Sequence, residues 1–109
     1  MDPWFKQILI QVKGYNMQRL GEYTEIEKEH ISGLRREPYA EAVQWKFPNG
    51  YGASVALNQI THFEPELAVL KFDEIGESTL VYDTPITSDV IRPVNKLEVK
   101  ELLGRIKKL

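Results

Sequence analysis

The chain has 109 residues, no cysteine and a formal net charge of −2 at pH 7. That length allows one domain, residues 1–109, with a modest core. The lack of cysteine excludes disulfides, thiol catalysis and thiolate metal sites, and no apolar run approaches the roughly 18 residues a membrane helix needs.

Taken in order, Asp2 as cap, Pro3 at the first helical position and Gly14 as terminator predict an N-terminal helix. Trp4, Phe5, Ile8, Leu9 and Val12 fall on one face of it. A strand is the rival reading, because Ile8, Ile10 and Val12 alternate with Leu9 and Gln11. Thr24 with Glu27 resembles a capping box, and Ile26, Glu27, His30, Ile31 and Leu34 continue a second helical pattern bounded by Gly33 and Pro38. Its apolar face is thin, which suits a peripheral or partner-facing helix.

The stretch FPNGYGASVAL, residues 47–57, carries the strongest local signal. Asn49-Gly50 predicts a two-residue hairpin turn, since both central positions of that turn need positive φ. The register that follows sets Phe47 opposite Gly52, Trp45 opposite Ser54 and Val43 opposite Ala56. Lys46 then faces Ala53 and Gln44 faces Val55 on the other side. Gly52 would leave room for the Phe47 ring to lie over bare backbone. A phosphate-cradling loop would instead need a helix after the glycines, and β-type residues follow here.

ELAVLKFD, residues 66–73, predicts a third strand, and EIGES turns the chain into a fourth, TLVYD. NQITHFEPE, between the hairpin and the third strand, reads as a loop. In the last segment Asn95 is the expected N-cap, Glu98 its capping-box partner, and Val94 with Val99 a hydrophobic staple. Val99, Leu102, Leu103 and Ile106 form the apolar stripe of the helix, which is expected to pack against Trp45 and Phe47. The expected fold class is therefore α+β: an antiparallel sheet of about four strands, a C-terminal amphipathic helix on one face, and one or two N-terminal helices.

Chemistry-bearing groups are sparse. HxExE at His62, Glu64 and Glu66 is not a metal spacing with a second ligand pair. In DTPITSD, Asp83 and Asp89 are candidates for a hard cation or for acid and base roles. Against this, Thr84, Thr87, Ser88 and Asp89 are residues that stabilise turns through side-chain-to-backbone bonds. No catalytic, cofactor-binding or metal-binding residue is assigned, and no cofactor is implied. Trp45, Phe47, Tyr51 and Lys46 superficially suit a nucleic-acid platform, but the alternation places Trp45 and Phe47 in the core. Charge is uneven along the chain: residues 64–89 carry Glu64, Glu66, Asp73, Glu74, Glu77, Asp83 and Asp89 against Lys71, while residues 92–109 are mostly basic. The start, MDPWFKQILIQVKG, lacks a basic leading segment and a small-residue cleavage site, so the expected location is the cytoplasm.

FPNGYGASV, ELAVL and YDTPITSDV, in this order, resemble a family of small uncharacterised proteins encoded by bacteriophages and prophages. The resemblance covers residues 47 to about 103 and departs from the family pattern at NQITHFEPE, where a glycine-rich, more aromatic insert is expected. It implies a context and no activity: a non-enzymatic protein in the host cytoplasm that binds and modulates a host protein. An inhibitor of a defence system, such as an anti-CRISPR or anti-restriction protein, is one such class. The acidic segment offers a physical basis, since it would suit a nucleic-acid channel in a host enzyme. Tyr51, His62, Phe63, Glu64, Glu66, Asp73 and Glu77 are the expected contact residues. The alternatives are a small metal-dependent enzyme using Asp83, Asp89 and His62, or a structural or assembly subunit of a phage. Direct nucleic-acid binding and membrane association are not expected.

Overall fold

A computed structural model describes residues 20–37 and 39–109. Two short 3-10 turns, Gly21–Glu25 and Lys28–His30, lead into a five-stranded antiparallel sheet. Its strands are β1 (Ile31–Glu37), β2 (Ala40–Lys46), β3 (Tyr51–Asn58), β4 (Glu66–Phe72) and β5 (Ser78–Leu80), paired in chain order. One helix, α1 (Lys96–Ile106), follows. The α+β class expected from the sequence is the class observed, with one more strand than expected. The expected helix at residues 2–14 lies outside the described residues.

The additional strand replaces the helix expected around residues 24–34. Glu27 adopts a left-handed conformation, φ 46 and ψ 47, which ends any helical run. The Thr24 hydroxyl donates to the Gly21 carbonyl, 2.6 Å, instead of capping at Glu27. Beyond it, Gly33 weakens a helix interior, and Pro38 biases Glu37 towards extended backbone. Pairing with β2 runs from Ile31↔Trp45 to Glu37↔Ala40, whereas a short thin-faced helix would bury too little apolar surface to be stable.

The register of the first hairpin also differs from expectation by one residue. Trp45 faces Ala53, Val43 faces Val55, Gln44 faces Ser54 and Lys46 faces Gly52. Pro48 is the cause. Its ring fixes φ near the value of the second residue of a type I turn, and Asn49 stays out of the left-handed region that Gly50 alone occupies, at φ 85. The loop is therefore three residues long, closed by Gly50 N–H to Phe47 O, 3.0 Å, and Phe47 N–H to Tyr51 O, 2.8 Å. A one-residue slip exchanges the faces of a strand. Here it puts Ala53, Val55 and Leu57 on the buried side, beneath Val43, Trp45 and Phe47. Gly52 is covered by a different ring from the expected one: a Cβ there would lie 2.8 Å from the Phe72 ring and collide with the Trp45 carbonyl oxygen.

The core joins this face to Leu67 and Val69 of β4, to Val99, Leu103 and Ile106 of α1, and to Leu20, Tyr23, Ile26 and Val94. Its polar atoms are satisfied: Trp45 Nε1 donates to Ile26 O, 2.8 Å, and the Tyr23 hydroxyl to Val94 O, 3.2 Å. The helix start is as expected. Glu98 N–H donates to Asn95 Oδ1, 2.8 Å, and Asn95 N–H to Glu98 Oε1, 3.1 Å, while Val94 and Val99 are both buried. Among the described residues no helix is long and apolar enough to cross a membrane.

Candidate functional site: the paired hairpin tips

An antiparallel meander sends alternate connections to opposite ends of the sheet. The β2–β3 and β4–β5 turns therefore share one end. Their backbones are bonded directly, Phe72 N–H to Gly50 O at 2.8 Å. The β4–β5 turn repeats the loop of the first hairpin: Gly76, φ 88, donates to Asp73 O, 3.1 Å, and Asp73 N–H to Glu77 O, 2.9 Å. The Asp73 carboxylate stiffens it further, with Oδ1 accepting from Ile75 N–H, 3.0 Å, and Glu77 N–H, 2.9 Å.

The first tip is anchored from below. Asn49 Oδ1 accepts from Tyr51 N–H, 3.0 Å. Its Nδ2 shares two hydrogens among the carbonyls of Ile106, Lys107 and Leu109, at 2.9, 3.0 and 3.2 Å. They belong to the end of α1, where carbonyls run out of helical donors, although Ile106 O also accepts from Leu109 N–H, 3.1 Å. One side chain thus orients the turn and caps the helix.

On this frame the end of the sheet displays Asp73, Glu74, Ile75 and Glu77, with Tyr51 half-buried beside them and packed against the core. Ile75 is 79% exposed at the outer corner of its turn. Lys71 Nζ lies 5.2 Å from the Tyr51 ring centroid and Lys46 Nζ 5.3 Å from that of Phe72, so two cations border the acidic tip. An open depression of about 190 Å³ lies beside it, lined by Lys71, Phe72, Asp73, Glu77 and Thr79.

The remaining expected contact residues lie elsewhere. His62, Phe63, Glu64 and Glu66 are at the opposite end of β4, about 20 Å away for a strand of that length. There Thr61 is buried and tied to Asn58, its hydroxyl accepting from Asn58 N–H and donating to Asn58 O, both 2.9 Å. His62 and Phe63 both take positive φ, 55 and 56, and the Phe63 ring packs against the core. Glu66 faces Arg92 at 3.7 Å. The seven acids of residues 64–89 are therefore distributed over the sheet's two ends and the segment after β5, not gathered in one patch.

Asp83, Asp89 and His62 do not converge into a ligand group. Residues 81–91 run beside β4, fixed by Val81 N–H to Val69 O, 3.0 Å, and by the reciprocal Leu67–Ile91 bonds, 2.9 Å each. Within that run Thr84 Oγ1 accepts from Ile86 N–H, Thr87 Oγ1 from Asp89 N–H, and Asp89 Oδ1 from Val90 N–H. Three of the four residues read as turn stabilisers thus make such bonds. At the far edge of the sheet, a hydrogen bond and the charge of Glu37 hold the exposed Arg35 guanidinium above its usual value.

Sequence reading missed Ile75, and it counted Glu74 in the acidic segment without placing it among the contact residues. The signal was present in Asp-Glu-Ile-Gly: a glycine at the left-handed position projects the two residues before it from the turn. No family model matches the chain, and no curated protein and no solved structure matches it.

Proposed function

We propose that this is a small non-enzymatic protein of phage or prophage type that binds and modulates a host protein in the host cytoplasm. Its narrower form is an inhibitor of a bacterial defence system. The observation that carries the reading is the pair of bonded hairpin tips, which holds acidic side chains and an exposed isoleucine on a rigid frame. Such loops on rigid scaffolds are where recognition concentrates. The phage-type context rests on the resemblance over residues 47 to about 103.

The test is affinity capture from nuclease-treated bacterial lysate, comparing the native protein with a Glu74→Lys/Ile75→Ser variant. These side chains make no core contact, so the variant is expected to fold normally and to lose a host protein that the native chain retains stoichiometrically. Equal capture by both proteins would remove the tip from the contact surface. Loss of all capture on nuclease treatment would overturn the host-protein reading in favour of nucleic acid.

A further inference from the structure

A second group of side chains, remote in sequence from the tips, has its own chemistry. The 3-10 turn Lys28–His30 and the left-handed Glu27 before it bring Glu27, Glu29 and His30 together, with one ligand atom from each within 4.8 Å of the others. His30 is held by its ring, which meets Phe47 edge to face at 5.2 Å and 72°. Phe47 is a fully buried core residue, so the imidazole has a fixed platform. Nε2 then points at two carboxylates, 3.9 Å from Glu27 Oε1 and 3.7 Å from Glu29 Oε1.

Those distances are informative because they are too long for hydrogen bonds. They do suit two ligands of one small ion, which stand roughly 3–4 Å apart when each is about 2.1 Å from the metal. Glu29 is the outer partner, 70% exposed, whereas Glu27 and His30 are about one-fifth exposed. We propose that Glu27, Glu29 and His30 form a site for one divalent transition-metal ion of the zinc class. Imidazole in the donor set favours such ions over calcium and magnesium, which prefer all-oxygen sites.

The Lys107 ammonium already lies against Glu27, 3.0 Å from Oε1 and 3.1 Å from Oε2. This ion pair engages both oxygens of Glu27, including the Oε1 that faces His30, so an incoming metal ion competes with the ammonium. Each carboxylate oxygen has a second lone pair, but an ion beside the ammonium is repelled by it. The site is therefore weakened by Lys107, and a Lys107→Met variant binds more tightly. The site touches the base of the first hairpin through Phe47, but it does not rest on the reading built on the tips.

Calorimetric titration of the full chain with zinc chloride tests this, with calcium and magnesium as controls. One saturable equivalent is expected for zinc and none for the controls. Glu29→Gln, an exposed change that leaves the fold intact, and His30→Ala are each expected to weaken binding by about tenfold or more. Lys107→Met is expected to strengthen it and His62→Ala to leave it unchanged. Absence of saturable binding up to millimolar zinc, or native affinity in the Glu29→Gln variant, would overturn the proposal.

Discussion

The two hairpin loops, residues 47–51 and 73–77, use the same backbone. Each closes three loop residues with a left-handed glycine, φ 85 at Gly50 and φ 88 at Gly76, and the same pair of hydrogen bonds. Their side chains send them in opposite directions. The first begins at Phe47, fully buried, and its Asn49 reaches into the end of α1. The second begins at Asp73, which bonds only within its own turn, and it lifts Ile75 into solvent. A loop's conformation thus follows from its glycine, while its role, anchoring or display, follows from what the flanking side chains reach.

The largest break in the comparison comes from the side chains that differ most. Phe47→Ala empties a core site and removes the platform of His30. The expected loss is about 3–5 kcal/mol of unfolding free energy, read from denaturant midpoints at constant m. Ile75→Ala is expected to shift stability by no more than about 0.5 kcal/mol. Comparable losses at both positions would mean that the second tip is packed, and the display role would fall.

Changes to the shared element should restore the symmetry. Gly50→Ala and Gly76→Ala each force a Cβ into the left-handed region, with no neighbour within 4 Å at either site. The cost is then conformational alone, about 1–2 kcal/mol in each case. Equal losses would confirm that one backbone device serves both tips. A loss much larger at Gly50 would show that the helix anchor amplifies strain there. Gly52→Ala, by contrast, meets the Trp45 carbonyl and the Phe72 ring, so its cost is steric and exceeds both.

How far these roles were legible in the sequence depends on the range of the interaction that decides them. The α1 start was legible because Asn95, Glu98, Val94 and Val99 act within five residues of one another. The position of the first hairpin was legible from Asn49-Gly50. Its register was not, because Pro48, one residue earlier, selects the longer loop, and the whole face of β3 follows from that choice. The β1 strand was hidden for a different reason. Its local pattern is weakly helical, and only pairing with a strand about ten residues away makes it extended. Seven acids close in sequence read as one surface, but a meander reverses direction at each turn and parts them. Asn49 as a helix cap spans 57 residues, beyond any local signal.

That long-range cap supplies the smallest and most discriminating prediction. Asn49→Ala removes the acceptor for Tyr51 N–H and the donors to three carbonyls at the end of α1. Most of those carbonyls are solvent-accessible, so water replaces much of the loss, and about 1 kcal/mol is expected. Asp73→Ala removes two backbone hydrogen bonds from an exposed turn and should cost a similar amount. Global stability would therefore not separate them, but amide exchange would. Asn49→Ala should fray the final turn of α1 and speed exchange at Lys107, whose N–H bonds to Leu103 O at 3.0 Å. Asp73→Ala should speed exchange at Ile75 and Glu77 and leave Lys107 unchanged. If Lys107 exchanged at the native rate in the Asn49→Ala protein, the end of the helix would be held by its own packing through Leu103 and Ile106. The first tip would then be as independent of the core as the second.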